Sequence, residues 1–164
     1  MSYPGTYANE KPDHPAVIMA GTGEHLSYKE LDDRSARFAQ LMWDVGLRAG
    51  DHVAIFADNH IRYFEAYWGA LRSGLFFTTV NRFLTAEEAS YIVRDCQAKV
   101  LVASQAVKNV AVEMLPDIGA CPIRLMFDGV AEGYESFESA IGSYPPDPLP
   151  AVSYTHLRAH ETDS

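Results

Sequence analysis

The strongest constraint on the fold of this chain is a regular alternation between short apolar runs and longer amphipathic segments. Four apolar runs have the length of a strand, at residues 52–57, 75–80, 100–103 and 123–127. Near-continuous apolar runs are typical of parallel strands that are covered on both faces. Parallel neighbours need crossover connections, which are usually helices. The alternation therefore predicts an α/β fold built on a mainly parallel sheet.

Two of the predicted helices have clear starts and ends. Ser27 with Glu30, and Thr85 with Glu88, have the spacing of a capping box, in which side chains satisfy the first backbone N–H groups of a helix. Gly46 is expected to end the first of these helices. An apolar stripe at helical spacing runs along that helix; its residues are Leu31, Phe38, Leu41, Met42 and Val45.

A third helix is predicted over residues 59–73, before Gly74, and it is rich in aromatic side chains. An apolar stripe at helical spacing usually packs into the core, so we expect these side chains to be buried. They are Tyr63, Phe64, Tyr67 and Trp68.

Beyond residue 103 the signals become weaker. Ser104 is expected to cap a helix that ends near Pro116. A short helix is predicted around residues 134–141. The segment Tyr144–Pro150 has four prolines in seven residues, which predicts an extended linker.

Composition excludes several classes of partner. The formal net charge of the 164 residues is −9, with no compensating cluster of Lys and Arg, so nucleic acid and anionic membrane are poor partners. No apolar run is long enough for a transmembrane segment, and residues 1–5 do not look like a signal peptide, so we expect a cytoplasmic protein. Cys96 and Cys121 lack metal or redox spacing and are expected to be reduced, buried thiols.

Ordered sequence blocks add a family resemblance. Residues 26–31 read Leu-Ser-Tyr-Lys-Glu-Leu, residues 46–55 read Gly-Leu-Arg-Ala-Gly-Asp-His-Val-Ala-Ile, and residues 81–85 read Asn-Arg-Phe-Leu-Thr. This order closely resembles the N-terminal part of the adenylate-forming acyl-CoA synthetases, in the AMP-dependent synthetase and ligase superfamily. Residues 89–96, Ala-Ser-Tyr-Ile-Val-Arg-Asp-Cys, look most like the fatty- and medium-chain acyl-CoA ligase branch.

The resemblance implies an activity and a set of small molecules. Such an enzyme activates a carboxylic acid with ATP, giving an acyl-adenylate and pyrophosphate, and then transfers the acyl group to CoA. ATP, Mg²⁺ and CoA are thereby implied for the full-length enzyme. The family's phosphate loop, adenine motif and C-terminal domain have no counterpart in this sequence. We therefore expect no catalytic residue here, no confidently bound cofactor, and no ligase activity from the fragment alone.

The resemblance also divides the chain. Residues 1–151 are expected to form an incomplete N-terminal part of the large domain. Residues 152–164 resemble nothing in the family and are expected to be a non-native tail. His156 and His160 are four residues apart and would share one face of a helix, but no third ligand accompanies them, so no metal site is expected.

One residue is a candidate for cofactor binding by resemblance. In many relatives an Arg directly precedes the Leu of the Asn-x-x-Leu-Thr block, and in some it is linked to the CoA phosphates. Here Phe83 holds that position and Arg82 lies one place earlier. Arg82 is the candidate, while Asn81 and Thr85 have structural roles as turn residue and helix cap. The aromatic helix could also flank an acyl tunnel, although core packing is the preferred interpretation.

Other hypotheses remain open at the sequence level. A small flavodoxin-like ligand-binding or signalling module would need a phosphate loop or acidic cluster at the carboxyl ends of its strands, where Asp58 is a lone candidate. A peptide-synthetase adenylation domain or a luciferase-like oxidoreductase would fit the same superfamily. The sequence does not identify the acid, the chain length of an acyl group or the oligomeric state.

Overall fold

The structure is a computed structural model that describes residues 4–149. Five parallel strands form one sheet in the order β4-β3-β5-β6-β7, and two further strands form a separate antiparallel hairpin. The predicted α/β class and mainly parallel sheet are confirmed. The strands are β1 (Pro15–Ile18), β2 (His25–Ser27), β3 (His52–Phe56), β4 (Phe76–Val80), β5 (Ala98–Ser104), β6 (Ile123–Phe127) and β7 (Glu135–Ser136).

Helices connect the strands and cover both faces of the sheet. No helix within residues 4–149 is long and apolar enough to cross a membrane. Short 3₁₀ turns flank the fifth helix at Gln105–Val107 and Leu115–Asp117. The helices are α1 (Pro4–Glu10), α2 (Tyr28–Asp44), α3 (Tyr63–Arg72), α4 (Ala86–Asp95), α5 (Lys108–Met114) and α6 (Phe137–Gly142).

Alternate residues of β3 serve two separate cores. Val53 and Ile55 belong to a core shared with α2, α3 and α6, whereas Ala54 and Phe56 belong to one shared with α4 and α5. Side chains of a strand alternate between the two faces of the sheet, so β3 is buried on both. We call the side of the sheet that packs against α2, α3 and α6 the α2–α3 face, and the side that packs against α4 and α5 the α4–α5 face.

Both predicted capping boxes are present. Ser27 Oγ accepts a hydrogen bond from the Glu30 backbone N at 3.1 Å, and Glu30 Oε1 accepts one from the Ser27 backbone N at 3.1 Å. Thr85 and Glu88 form the same pair of bonds at 3.3 and 3.0 Å. Hydrogen bonds from backbone N–H groups hold the pKa of both glutamates below its ordinary value. Gly46, at φ 99°, follows α2 as expected.

The prediction for the aromatic helix was wrong in two respects. α3 begins at Tyr63 and not at Asn59, and its aromatic side chains are only half-buried. Its buried face is made of small and charged residues instead, because α2 lies very close to it. A Cβ atom added at Gly69 would lie 2.5 Å from Phe38 Cδ1 and 2.9 Å from the Ser35 carbonyl oxygen. The buried residues are Glu65, Ala66, Gly69, Ala70, Leu71 and Arg72.

Other boundaries also differ from the prediction. The Ser104 hydroxyl makes no cap; it accepts a hydrogen bond from the backbone N of Asp58 at 3.2 Å. The last helix begins at Phe137, because Glu135–Ser136 pairs with β6 as a short strand. The predicted linker is irregular, and α2 holds it: Gln40 Nε2 donates to the Asp147 carbonyl oxygen at 2.8 Å. Residues 152–164, predicted to be non-native, lie outside the described residues.

Candidate functional site

The carboxyl ends of the parallel strands meet at one edge of the sheet, which we call the carboxyl edge. Asp58 follows β3, the Asn81–Thr85 segment follows β4, Ser104 ends β5 and Asp128 follows β6. In open α/β sheets, ligands bind outside the carboxyl ends of the strands. Arg82, the candidate from the sequence, and Asp58, the lone candidate acid of the alternative hypothesis, thus share this edge.

Side chains connect the loops after β3 and β6. His60 Nε2 lies 3.7 Å from Asp128 Oδ2, and Arg62 Nε lies 3.6 Å from Glu138 Oε2. Glu138 Oε2 also accepts a hydrogen bond of 2.8 Å from the Asp128 backbone N. Asp128 has a positive φ of 65°, which is uncommon for a residue with a side chain. These contacts fix the turn after β6 against the loop after β3.

Three side-chain oxygens near this edge are buried and have no hydrogen-bond partner among the residues that the structure describes. They are Asp58 Oδ1, Gln105 Oε1 and Glu138 Oε1. Gln105 is confined by Gly129, where an added Cβ atom would lie 2.1 Å from the Gln105 Oε1 atom. An edge rich in acceptor oxygens complements hydrogen-bond donors and repels phosphate groups.

These three oxygens offer a phosphate group no hydrogen-bond donor. Within residues 4–149, no group of three His, Cys, Asp or Glu side chains is placed to hold a metal ion. No catalytic step follows from these residues.

Arg82 lies in an exposed turn. The Asn81 side-chain oxygen accepts a hydrogen bond from the Phe83 backbone N at 2.8 Å, and the Leu84 backbone N donates to the Asn81 carbonyl oxygen at 3.1 Å. This is the turn role expected for Asn81, and Thr85 is the cap of α4, as predicted. The Arg82 guanidinium carbon lies 4.5 Å from the centre of the Phe83 ring, and Phe83 is 79% exposed. Arg82 and Phe83 thus form a small cation–π surface.

A shallow groove of about 440 Å³ begins beside this turn and follows α4. Glu87, Glu88 and Tyr91 line it together with Leu84, Ile92 and Arg94. Two glutamates in the lining favour a neutral or cationic group over a phosphate. The structure brings Arg82 to the carboxyl edge, but it does not bring it into a basic pocket.

A second group of charged side chains lies between α2 and α3. Glu65 is fully buried, and its carboxylate accepts hydrogen bonds from Arg34 Nη1 at 3.0 Å and Arg62 Nη1 at 3.1 Å. Burial raises the pKa of Glu65, and the two guanidinium groups oppose that shift. Both arginines are already engaged, so this cluster is a helix–helix contact and offers no open position to a substrate.

Comparison with known proteins decides the family. The profile of the AMP-binding enzyme family matches residues 6–156. The chain belongs to the AMP-binding enzyme family. Among relatives of this family member, the crotonobetaine/carnitine–CoA ligase of Proteus mirabilis is 32% identical over 97 residues, which is 59% of this chain and 19% of the relative. A long-chain-fatty-acid–CoA ligase of Escherichia coli is 34% identical over 91 residues, 55% of this chain and 16% of the relative.

Solved structures confirm the fold. An anthranilate–CoA ligase, AuaEII, in complex with anthranoyl-AMP has a TM-score of 0.81 at 18% identity, over 92% of this chain and 28% of that one. The fatty acyl-CoA synthetase of Mycobacterium tuberculosis has a TM-score of 0.78 at 22% identity, over 92% and 29%. This chain spans about a fifth of the length of the curated relatives named above. The strand order would also suit a flavodoxin-like sheet, but the family match covers the same strands.

Sequence reasoning missed most of the carboxyl edge. It found Asp58 and Arg82 but not His60, Asp128 or Glu138. Position in the sequence was the available signal: Asp128 directly follows one apolar run and His60 lies three residues after another, and both runs were predicted to be parallel strands, whose carboxyl ends share one edge. No sequence pattern indicated that Glu138 contacts Asp128 and Arg62, because these contacts depend on where α6 packs.

Proposed function

We propose that this chain is part of an AMP-forming ligase that activates a carboxylic acid with ATP and transfers the acyl group to CoA. The observation that carries the proposal is the family match over residues 6–156, supported by relatives whose names describe acid–CoA ligases. A fatty acid is the substrate class we favour, because residues 89–96 resemble the fatty-acyl branch. One relative, ScoC of Streptomyces coeruleorubidus, is described as a fatty acid–[acyl-carrier-protein] ligase, so a carrier protein is the alternative acceptor.

Within such an enzyme, residues 4–149 would act as a scaffold. They contribute one parallel sheet and the loops of its carboxyl edge, and they offer no phosphate cradle or metal site of their own. We propose accordingly that the 164-residue chain has no ligase activity, that it is cytoplasmic, and that residues 152–164 are a non-native tail. The family match extends to residue 156, four residues beyond the start of that segment.

The sequence of the coding locus beyond codon 152 tests the proposal most cheaply. We expect a strand followed by a loop rich in Ser, Thr and Gly that ends in Pro-Lys-Gly. Purified protein from that longer reading frame should release pyrophosphate when a fatty acid is added and form a thioester when CoA is added. A locus without that loop, or a longer protein with no acid-dependent pyrophosphate release, would contradict the proposal.

We also propose that Arg82 contacts a phosphate of CoA in the longer protein. An exposed guanidinium with no carboxylate partner among the described residues supports this role. Arg82→Ala should raise the KM for CoA about tenfold, the loss expected for one charge-assisted hydrogen bond, without changing acyl-adenylate formation. Lys108→Ala, which removes another exposed cation, serves as the control. An equal KM for CoA in both variants would show that Arg82 does not contact CoA.

A further inference from the structure

His60 lies where the loop after β3 meets the turn after β6, and its two ring nitrogens face different partners. Nδ1 lies 3.1 Å from the backbone N of Arg62, directly before α3, and accepts its hydrogen bond. Nε2 lies 3.7 Å from Asp128 Oδ2. The ring centre lies 4.9 Å from that of Phe127, at the end of β6. One imidazole therefore contacts both loops.

The contact with Arg62 fixes the tautomer of the neutral ring. A backbone N–H only donates, so Nδ1 must be unprotonated and the ring proton must lie on Nε2, facing Asp128. A second proton, taken from solvent, binds at Nδ1. Two N–H groups then face each other, and the hydrogen bond from Arg62 is lost, while the positive ring attracts the Asp128 carboxylate more strongly.

We propose that His60 is a pH-operated latch at the carboxyl edge. The neutral ring holds the start of α3 through the Arg62 N–H. The protonated ring releases that N–H and tightens the contact between the loop after β3 and the turn after β6. This inference concerns loop conformation alone, and it does not depend on the proposed ligase function.

Charged side chains are present in the loop after β3, in the turn after β6 and on α6, which all adjoin this latch. Arg62 and Asp58 belong to the same loop as His60, and Asp128 belongs to the turn after β6. Glu138, from α6, accepts the Asp128 N–H and lies 3.6 Å from Arg62 Nε. β5 ends in uncharged residues at this edge. The pH response of the Arg62 amide therefore has two candidate sources, the carboxylates and the imidazole. The experiment has to separate them.

Amide hydrogen exchange and ¹H–¹⁵N spectra of the 164-residue chain between pH 8 and pH 5 test the latch, since this is the range in which histidine changes its charge. After correction for the intrinsic pH dependence of exchange, the protection factor of the Arg62 amide should fall about fivefold towards pH 5. This is the change expected when one ordinary hydrogen bond is lost. The midpoint should coincide with that of the His60 Cε1–H chemical shift. Different midpoints would assign the response to another group and overturn the proposal.

A variant separates the imidazole from the carboxylates. His60→Asn places an amide oxygen near the position of Nδ1, so the acceptor is kept but no longer titrates. Arg62 protection should then stay constant between pH 8 and pH 5, whereas His25→Asn, which changes an exposed histidine, should keep the native response. The same pH response in His60→Asn, or no response in the native chain, would refute the latch.

Discussion

The two faces of the sheet are both covered by helices, but the helices pack through different kinds of side chain. On the α4–α5 face the helices present small and aliphatic side chains and a methionine to the strands, among them Ala89, Val93, Ala111 and Met114. The α2–α3 face also buries apolar residues, but between its helices lie the Glu65 carboxylate and its arginine partners, while the aromatic rings of α3 are only partly buried. Hydrophobic periodicity therefore locates the buried stripe of α2 but not the buried face of α3, although both helices cover the same face of the sheet.

The largest effect is expected at the charged contact of the α2–α3 face. Glu65→Ala leaves Arg34 and Arg62 without their shared partner, and we expect a loss of about 3 kcal/mol in the free energy of unfolding. Glu65→Gln keeps hydrogen-bond acceptors for the arginines and should lose less. Urea denaturation measures both, with Glu113→Ala on the exposed side of α5 as the control. A loss at Glu65 equal to that at Glu113 would mean that the charged contact does not stabilise this face.

We also expect the Glu65 carboxylate to make the free energy of unfolding depend on pH. Burial raises the pKa of Glu65 above its ordinary value of 4.5, so this carboxylate binds its proton more tightly in the folded chain than in the unfolded chain. Its contribution to stability is fully present below the unfolded pKa and is lost as pH rises through the folded pKa. The native chain should lose stability relative to Glu65→Gln as pH rises through that window. Parallel stability curves for the two proteins would contradict this.

A reactivity difference should appear on the α4–α5 face. Burial raises the pKa of Cys121 to about 11, so little thiolate exists at pH 8. Alkylation of Cys121 in the folded chain should be about a hundredfold slower than in the urea-unfolded chain, and it should rise about tenfold per pH unit. Peptide mass spectrometry follows Cys121 and the less buried Cys96 separately. Fast labelling of Cys121 in the folded chain would show that this face opens readily.

The next effect on stability is expected where α2 and α3 approach each other closely. Gly69→Ala places a methyl group against Phe38 and the Ser35 carbonyl oxygen, and we expect a loss of about 2 kcal/mol through overpacking. Gly119→Ala, where no atom lies within 4 Å of the added Cβ, is the matched control. If both variants denature at the same urea concentration as the native chain, the helices are farther apart than described.

The smallest expected effect is a gain in stability from a substitution in α4, on the α4–α5 face. The Ser90 hydroxyl is buried in α4 and has no hydrogen-bond partner among the described residues. Ser90→Ala removes this unpaired group and improves helix propensity, so stability should rise by about 1 kcal/mol. Ser139→Ala in α6 is a contrast, because Ser139 is exposed. A destabilised Ser90→Ala protein would indicate a partner for the hydroxyl.

The sequence predicted those parts of the fold that local rules determine. Both capping boxes and the sheet class were found because side chains three residues apart, or a continuous apolar run, carry the signal. The burial of Glu65 and the incomplete burial of Tyr67 could not be found in this way, since they depend on how closely α2 approaches α3 at Gly69. At the carboxyl edge, Asp58 was visible from its place after a strand, while the contacts of Glu138 required the position of α6.

We propose that these residues supply a sheet of the AMP-binding enzyme fold but not the groups that perform the reaction. Pyrophosphate release by the purified 164-residue chain, with ATP, Mg²⁺, CoA and a series of fatty acids, tests it directly. We expect no release above the level without acid, and we expect the longer protein from the same locus to be active under the same conditions. Acid-dependent pyrophosphate release by the 164-residue chain would contradict it.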